Sequence, residues 1–116
     1  MPPPIVLDLP GNVAKVVLTG RIDIEGARDL DLPLSVIAGS RRSVVIDLSG
    51  VEFLASLGLR GIVVCARSIL SKKGKVVLLA PVPRVEEVLT ATGIDRLIPI
   101  FHDEAAAVAA VALDGV

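Results

Sequence analysis

Two short, uninterrupted apolar runs, Val44-Val45-Ile46 and Val76-Val77-Leu78-Leu79, constrain this chain more than any other feature. Both are rich in β-branched residues, and neither alternates with polar residues as a half-exposed strand would. Runs of this kind fit central strands covered on both faces. Between them lies the strongest helical pattern of the chain. Leu59, Ile62, Val63, Ala66, Ile69 and Leu70 share one face of a helix over Leu57 to Leu70, with Gly74 as its stop. Strand, helix and strand in this order make a right-handed crossover, so the two runs are expected as neighbouring inner strands of a parallel sheet.

The flanking sequence extends the pattern. Ile5 to Leu7 and Val13 to Thr19 read as two strands of a hairpin, joined at the turn signal Pro10-Gly11-Asn12. Gly20 to Asp23 breaks the second strand. Ala27, Leu30, Leu34 and Ile37 follow at helical spacing up to Gly39-Ser40, with Pro33 expected to kink or split that helix. Ser43 to Leu48 is the first inner strand, and Ser49 to Leu54 reads as a link. After the second inner strand come a helix over Arg84 to Ala91, a short edge strand Ile98 to Phe101, and a closing helix Glu104 to Leu113 headed by Asp103. The order β-β-α-β-α-β-α-β-α predicts an α/β domain: a small mixed sheet, mostly parallel in its core, with about four helices packed against it.

At 116 residues the chain suits one domain, residues 1–116 with a core over about 5–113. Composition excludes several function classes. A single cysteine and a single histidine leave no cysteine-built or two-histidine metal site. Two phenylalanines, no tyrosine and no tryptophan leave no stacking platform for single-stranded nucleic acid. A formal charge of -1 argues against a basic nucleic-acid or membrane-surface footprint. No apolar run approaches the ~20 residues of a membrane-spanning helix. The start, Met1-Pro2-Pro3-Pro4, lacks the pattern of a secretion signal, and a cytoplasmic protein is expected. No nucleotide-binding glycine motif is present, and no cofactor is expected. His102 reads as a surface or helix-capping residue, and Cys65 as a buried, inert thiol. No catalytic constellation emerges, so the chain is not expected to be an enzyme.

The informative segment is Val44 to Gly61, VVIDLSGVEFLASLGLRG. Ser56 stands where the long helix begins, a natural N-cap position. A phosphate at such a place would meet unpaired backbone donors and the positive end of the helix dipole. Leu57, Arg60, Gly61, Val64, Arg67 and Ser68 lie away from the core-facing set. They make a candidate docking stripe beside Ser56.

The chain resembles the STAS family of anti-sigma factor antagonists. The likeness rests on LTGRID (Leu18 to Asp23), on VVIDLSGVEFLASLGLRG, and on the stretch from Gly74 to Val108, GKVVLLAPVPRVEEVLTATGIDRLIPIFHDEAAAV, in that order. It implies a small sheet flanked by helices. In phosphorylatable members a serine heads the second helix within an Asp-Ser-Ser-Gly-Leu type motif. The matching stretch is Ala55-Ser56-Leu57-Gly58-Leu59, so the resemblance maps the modified serine to Ser56, with Ala55 replacing the acid and Leu57 the second serine. It implies partner binding around Asp23, Leu57, Gly58, Arg60, Gly61, Val64 and Arg67, where Asp23 either orients the partner or caps the first helix. The implied partners are an anti-sigma factor that is also an ATP-dependent serine kinase, and a phosphatase that removes the phosphate. The unphosphorylated form would bind the anti-sigma factor and free a sigma factor; phosphorylation would end the binding. The alternative is a STAS subunit of a transporter or signalling complex that is never phosphorylated.

Overall fold

A computed structural model describes residues 1–113. Nine elements follow in the expected order: β1 (Ile5–Leu9), β2 (Val13–Ile22), α1 (Ile24–Ser40), β3 (Ser43–Leu54), α2 (Ser56–Ser71), β4 (Lys75–Leu79), α3 (Pro83–Ala91), β5 (Ile100–Phe101) and α4 (Glu104–Val111). A 3-10 turn, Ile94–Arg96, precedes β5. The strands form one sheet in the order β1-β2-β3-β4-β5, antiparallel between β1 and β2 and parallel at the other three pairings. Gly11 and Asn12 both take positive φ, which turns the chain tightly enough to pair Leu9 with Val13.

The apolar runs are buried on both faces, and the register shows why they do not alternate. Val44, Ile46 and Leu48 face one way with Val16, Leu18, Val76 and Leu78, beneath α1, α2 and α3. Val45 faces the other way with Val13, Val77 and Leu79, against Ala107 and Val111 of α4. As expected, β3 and β4 are inner neighbours, paired from Ser43↔Lys75 to Asp47↔Leu79.

Several expectations need correction. Pro33 does not split α1, which runs unbroken from Ile24 to Ser40. Proline forfeits one backbone bond there, but Ala27, Leu30, Leu34 and Ile37 lie on one buried stripe that holds both halves to the core. The break expected from Gly20 comes only at Asp23, and the link at Ser49 to Leu54 is strand: β2 continues to Ile22 and β3 to Leu54. The last strand is confined to Ile100–Phe101, and α4 ends at Val111. Residues 114–116 of the expected single domain lie outside the described residues.

Candidate functional site

The two strand extensions are one feature. Beyond Asp47, β3 has no partner in β4, and Gly50 to Leu54 pair only with Thr19 to Ile22 of β2. The result is a two-stranded parallel ribbon projecting past the rest of the sheet. Its register shifts twice, between Val17 and Thr19 and between Gly20 and Arg21. Glycine meets both demands of the ribbon. Gly20 takes φ +88, and a Cβ on Gly50 would come within 2.9 Å of Thr19 Cγ2. On the ribbon surface the Arg21 guanidinium sits 4.5 Å from the centre of the Phe53 ring.

The ribbon delivers two helix starts to one place. Ile22 pairs with Leu54, and the next N–H along β3, that of Ala55, donates to the Ile22 carbonyl at 2.8 Å. Asp23 and Ala55 therefore leave the ribbon side by side. Asp23 caps α1: its Oδ1 accepts from the Gly26 N–H at 2.8 Å. Capping is thus an occupied role of this exposed residue, and its position beside Ala55 leaves it at the edge of the same corner.

Ser56 is not the cap of α2, contrary to expectation. The cap position belongs to Ala55, whose extended backbone (φ -80, ψ 162) precedes the helix and whose carbonyl accepts from Leu59 N–H at 3.0 Å. Ser56 is the first helical residue and is exposed. The helix therefore begins with no side-chain cap, and geometry denies the N–H groups of Ser56, Leu57 and Gly58 any partner four residues back.

The candidate docking residues divide. Leu57, Arg60, Gly61 and Val64 line a groove of about 560 Å³ between α2 and α1, whose opposite wall includes Asp31, Leu34 and Ser35. Leu57 and Val64 are 41% and 59% exposed. Arg67 is exposed and continues the outer edge of α2 beyond Val64. Gly58 falls elsewhere: it is buried, and a Cβ on it would lie 2.4 Å from Ile22 Cγ2 and 3.1 Å from Leu54 Cδ1. Its bareness lets α2 approach the ribbon end, a packing role inside the fold. Sequence reasoning missed the α1 side of this surface. The α1 wall is made by Asp31, Leu34, Ser35, Ala38 and Gly39, and Leu32 and Val36, 74% and 60% exposed, lie on α1 outside the groove lining. Their signal was present, since both fall out of phase with the buried stripe at Ala27, Leu30, Leu34 and Ile37.

Elsewhere the polar groups have structural partners. His102, exposed, sits 2.7 Å from Glu86 of α3. Cys65 is buried, its thiol directed at the Leu34 carbonyl at 3.5 Å, and burial pushes it up to about 11, consistent with the inert reading. Asp47, nearly buried, accepts from the Ser49 N–H at 2.9 Å and lies 3.6 Å from Lys15 Nζ. Lys15 also binds Glu104 at the head of α4, and that bond, more than the pull of Asp47, raises its pKa against the opposing effect of burial. This charge chain ties α4 to the sheet and offers no nucleophile. Among the described residues no group of three acidic, histidine or cysteine side chains could hold a metal, and no helix is long and apolar enough to cross a membrane.

Comparison with known proteins gives a consistent result. The family described as the STAS domain matches residues 5–107. The protein BtrV of Bordetella bronchiseptica, which its name places among anti-sigma factor antagonists, is 33% identical over 95 residues, covering 80% of this chain and 81% of its own. The crystal structure of an anti-sigma factor antagonist from Mycobacterium paratuberculosis superposes with a TM-score of 0.82 at 32% identity, covering 93% of this chain and 92% of that one. A Thermotoga maritima protein placed by name in the same class superposes at 0.81 with 26% identity, over 92% of each chain.

Proposed function

The chain belongs to the STAS domain family, and from that premise we propose that it is an anti-sigma factor antagonist, a binding protein with no reaction of its own, switched by a phosphate on Ser56. Unmodified, it binds an anti-sigma factor in the cytoplasm and releases the sigma factor held there. That partner is also the ATP-dependent kinase that modifies Ser56, and a phosphatase restores the serine.

The observation that carries this reading is the freedom of Ser56. It stands exposed at the first position of α2 while Ala55 occupies the cap position, so helix capping does not account for a serine here. A phosphate on it would add about -1.5 to -2 charges beside open N–H groups and the positive end of the α2 dipole, which favours an anion. Arg60 lies four residues on, one turn along the same helix face, within reach of such a phosphate. The modification is therefore compatible with the fold and changes mainly the surface. At the docking edge it would put a charge next to Leu57 and occupy Arg60, both candidate contacts.

The test is phosphorylation by the serine-kinase anti-sigma factors of the same organism with ATP, followed by peptide mapping. Ser49 is the fair control, since it is also exposed and also precedes a glycine, but lies within β3. Phosphate is expected on Ser56 alone. Phosphate on Ser49, or on no serine with any kinase, overturns the switch and leaves an unphosphorylated subunit of a larger assembly as the better account.

A further inference from the structure

We propose that the groove between α1 and α2 seats one helix of the partner, which places a bulky apolar side chain over Gly61, carboxylates towards Arg60 and Arg67, and a cation towards Asp31. The inference rests on the reading above, in which the α2 face docks a protein, and it specifies the chemistry of what docks.

Gly61 is the central observation. A glycine inside a helix costs about 0.5–1 kcal/mol relative to alanine, so an unforced one is anomalous. Gly26, Gly58 and Gly74 have a steric reason, whereas Gly61 and Gly39, which faces the same groove from α1, have none. A Cβ would meet Ile22 at 2.4 Å from Gly58, the Arg42 carbonyl at 2.6 Å from Gly74, and the Arg21 carbonyl at 2.9 Å from Gly26. At Gly61 the nearest atoms would be Asp31 Oδ1 at 3.9 Å and Leu34 Cδ1 at 4.0 Å, ordinary contact distances. Nothing among the described residues requires this glycine. What its bareness does create is depth in the groove, between the exposed side chains of Leu57 and Val64.

The rims then select the occupant by charge. Arg60 and Arg67 stand seven residues apart on α2, about 10 Å along the helix axis. Asp31 stands on the opposite, α1 rim. Among the described residues none of the three makes an ion pair. A groove flanked by two helices accepts a third by ridge-into-groove packing, and an amphipathic helix satisfies the apolar floor and both charged rims at once.

The test uses a stapled amphipathic peptide with one central leucine, a glutamate pair seven residues apart on one flank and a lysine on the other. Titrated into the isotope-labelled protein, it should shift the amides of Gly61 and Val64 most. Replacing the glutamates by lysines, or the leucine by alanine, should weaken binding about tenfold or more. Gly61→Leu, which fills the seat, should abolish the shifts. Gly61→Ala should fold with a raised melting temperature, which shows that the position tolerates a side chain. Equal affinity for the glutamate and lysine peptides, shifts centred elsewhere, or no shift at millimolar peptide would overturn the proposal. The two readings fail separately. An anti-sigma factor that binds Gly61→Leu as tightly as wild type removes the groove but keeps the antagonist. Peptide binding in the groove with no anti-sigma factor partner keeps the groove and removes the antagonist.

Discussion

The helices α1 and α2 leave the same ribbon side by side, yet they begin differently. α1 starts from Asp23, whose carboxylate accepts the Gly26 N–H. α2 starts from Ala55, which has no side-chain acceptor to offer. Both carry a glycine at the third helical position, Gly26 and Gly58, and in both the missing Cβ faces the end of the ribbon. The steric solution is thus shared and the electrostatic one is not. α4 follows the α1 pattern, with Asp103 accepting from the Ala106 N–H at 2.9 Å. A carboxylate cap is used at α1 and α4, whereas α3, like α2, has no side-chain cap; α3 opens on Pro83, which has no N–H to satisfy, while α2 opens on a serine. At α2 the first-turn donors stay open next to an exposed hydroxyl. α2 tolerates this because its stability comes from the buried stripe of Leu59, Ile62, Ala66 and Ile69.

The comparison is sharpened most by putting an anion where α2 has none. Ser56→Asp should weaken binding of the anti-sigma factor by about a hundredfold or more, since an unpaired charge desolvated at an interface costs several kcal/mol. Its melting temperature should stay near that of wild type, because the charge sits at the favourable end of the helix. Calorimetric titration beside thermal melts reads both halves. Unchanged affinity would remove the switch; an unfolded variant would mean that the α2 start is as structurally committed as the α1 start.

How legible this corner was in the sequence depends on the range of the interaction. The inner runs at Val44 and Val76 declared themselves locally, because burial on both faces leaves no polar alternation. The ribbon did not. Ser49-Gly50 and Gly20-Arg21 have the composition of turns, and each becomes strand only because the other lies opposite. Two local misreadings were one long-range pairing, and that pairing brings Asp23 beside Ala55. The exposed stripe on α2 was legible from helical phase. Gly58 lay outside that stripe and entered only through the family motif; its packing was not legible, since a glycine's contacts depend on what approaches it, here Ile22 and Leu54. The family motif named Ser56, but whether Ser56 or Ala55 caps the helix is a matter of one residue in backbone geometry, which residue type alone does not fix.

The shared glycine can be broken next. Gly58→Ala would force its Cβ to 2.4 Å from Ile22 Cγ2, so either Ile22 leaves its rotamer or α2 moves off the ribbon. A loss of about 1–3 kcal/mol in urea unfolding is expected, despite alanine's better helix propensity. A neutral or stabilising result would show that α2 is not held against the ribbon as described.

A third contrast separates the two faces of the sheet by pH. Cys65, on the buried side of α2, is raised from 9.0 to about 11 by burial, and Lys15, beside α4, is raised above 10.5 first by its bond to Glu104. Both favour the protonated form in the folded state. Stability is therefore complete below the unfolded values and falls as pH climbs, first through the thiol window from 9.0 to about 11 and then through the lysine's. The thiol contribution is on the order of 2 kcal/mol. Urea midpoints below and within the thiol window should diverge for wild type and less so for Cys65→Ala. A Cys65→Ala protein with the full alkaline loss would place the effect on the Lys15 side alone.

The smallest effect tests the comparison itself, through three single truncations. Asp23→Ala and Asp103→Ala each remove an acceptor from a first-turn N–H, and each should cost about 1 kcal/mol, the usual value of a lost side-chain cap. Ser56→Ala removes a hydroxyl that caps nothing and gives the helix a better former at its first position. It should change stability by no more than about 0.5 kcal/mol in either direction, as surface substitutions generally do. The same Ser56→Ala protein should still bind the anti-sigma factor but escape inactivation by the kinase. If Ser56→Ala costs as much as Asp23→Ala, the two helix starts are alike after all, and the serine is held by helix stability and not by signalling. If it costs nothing and binding persists in the presence of ATP, the open start of α2 is kept for the phosphate.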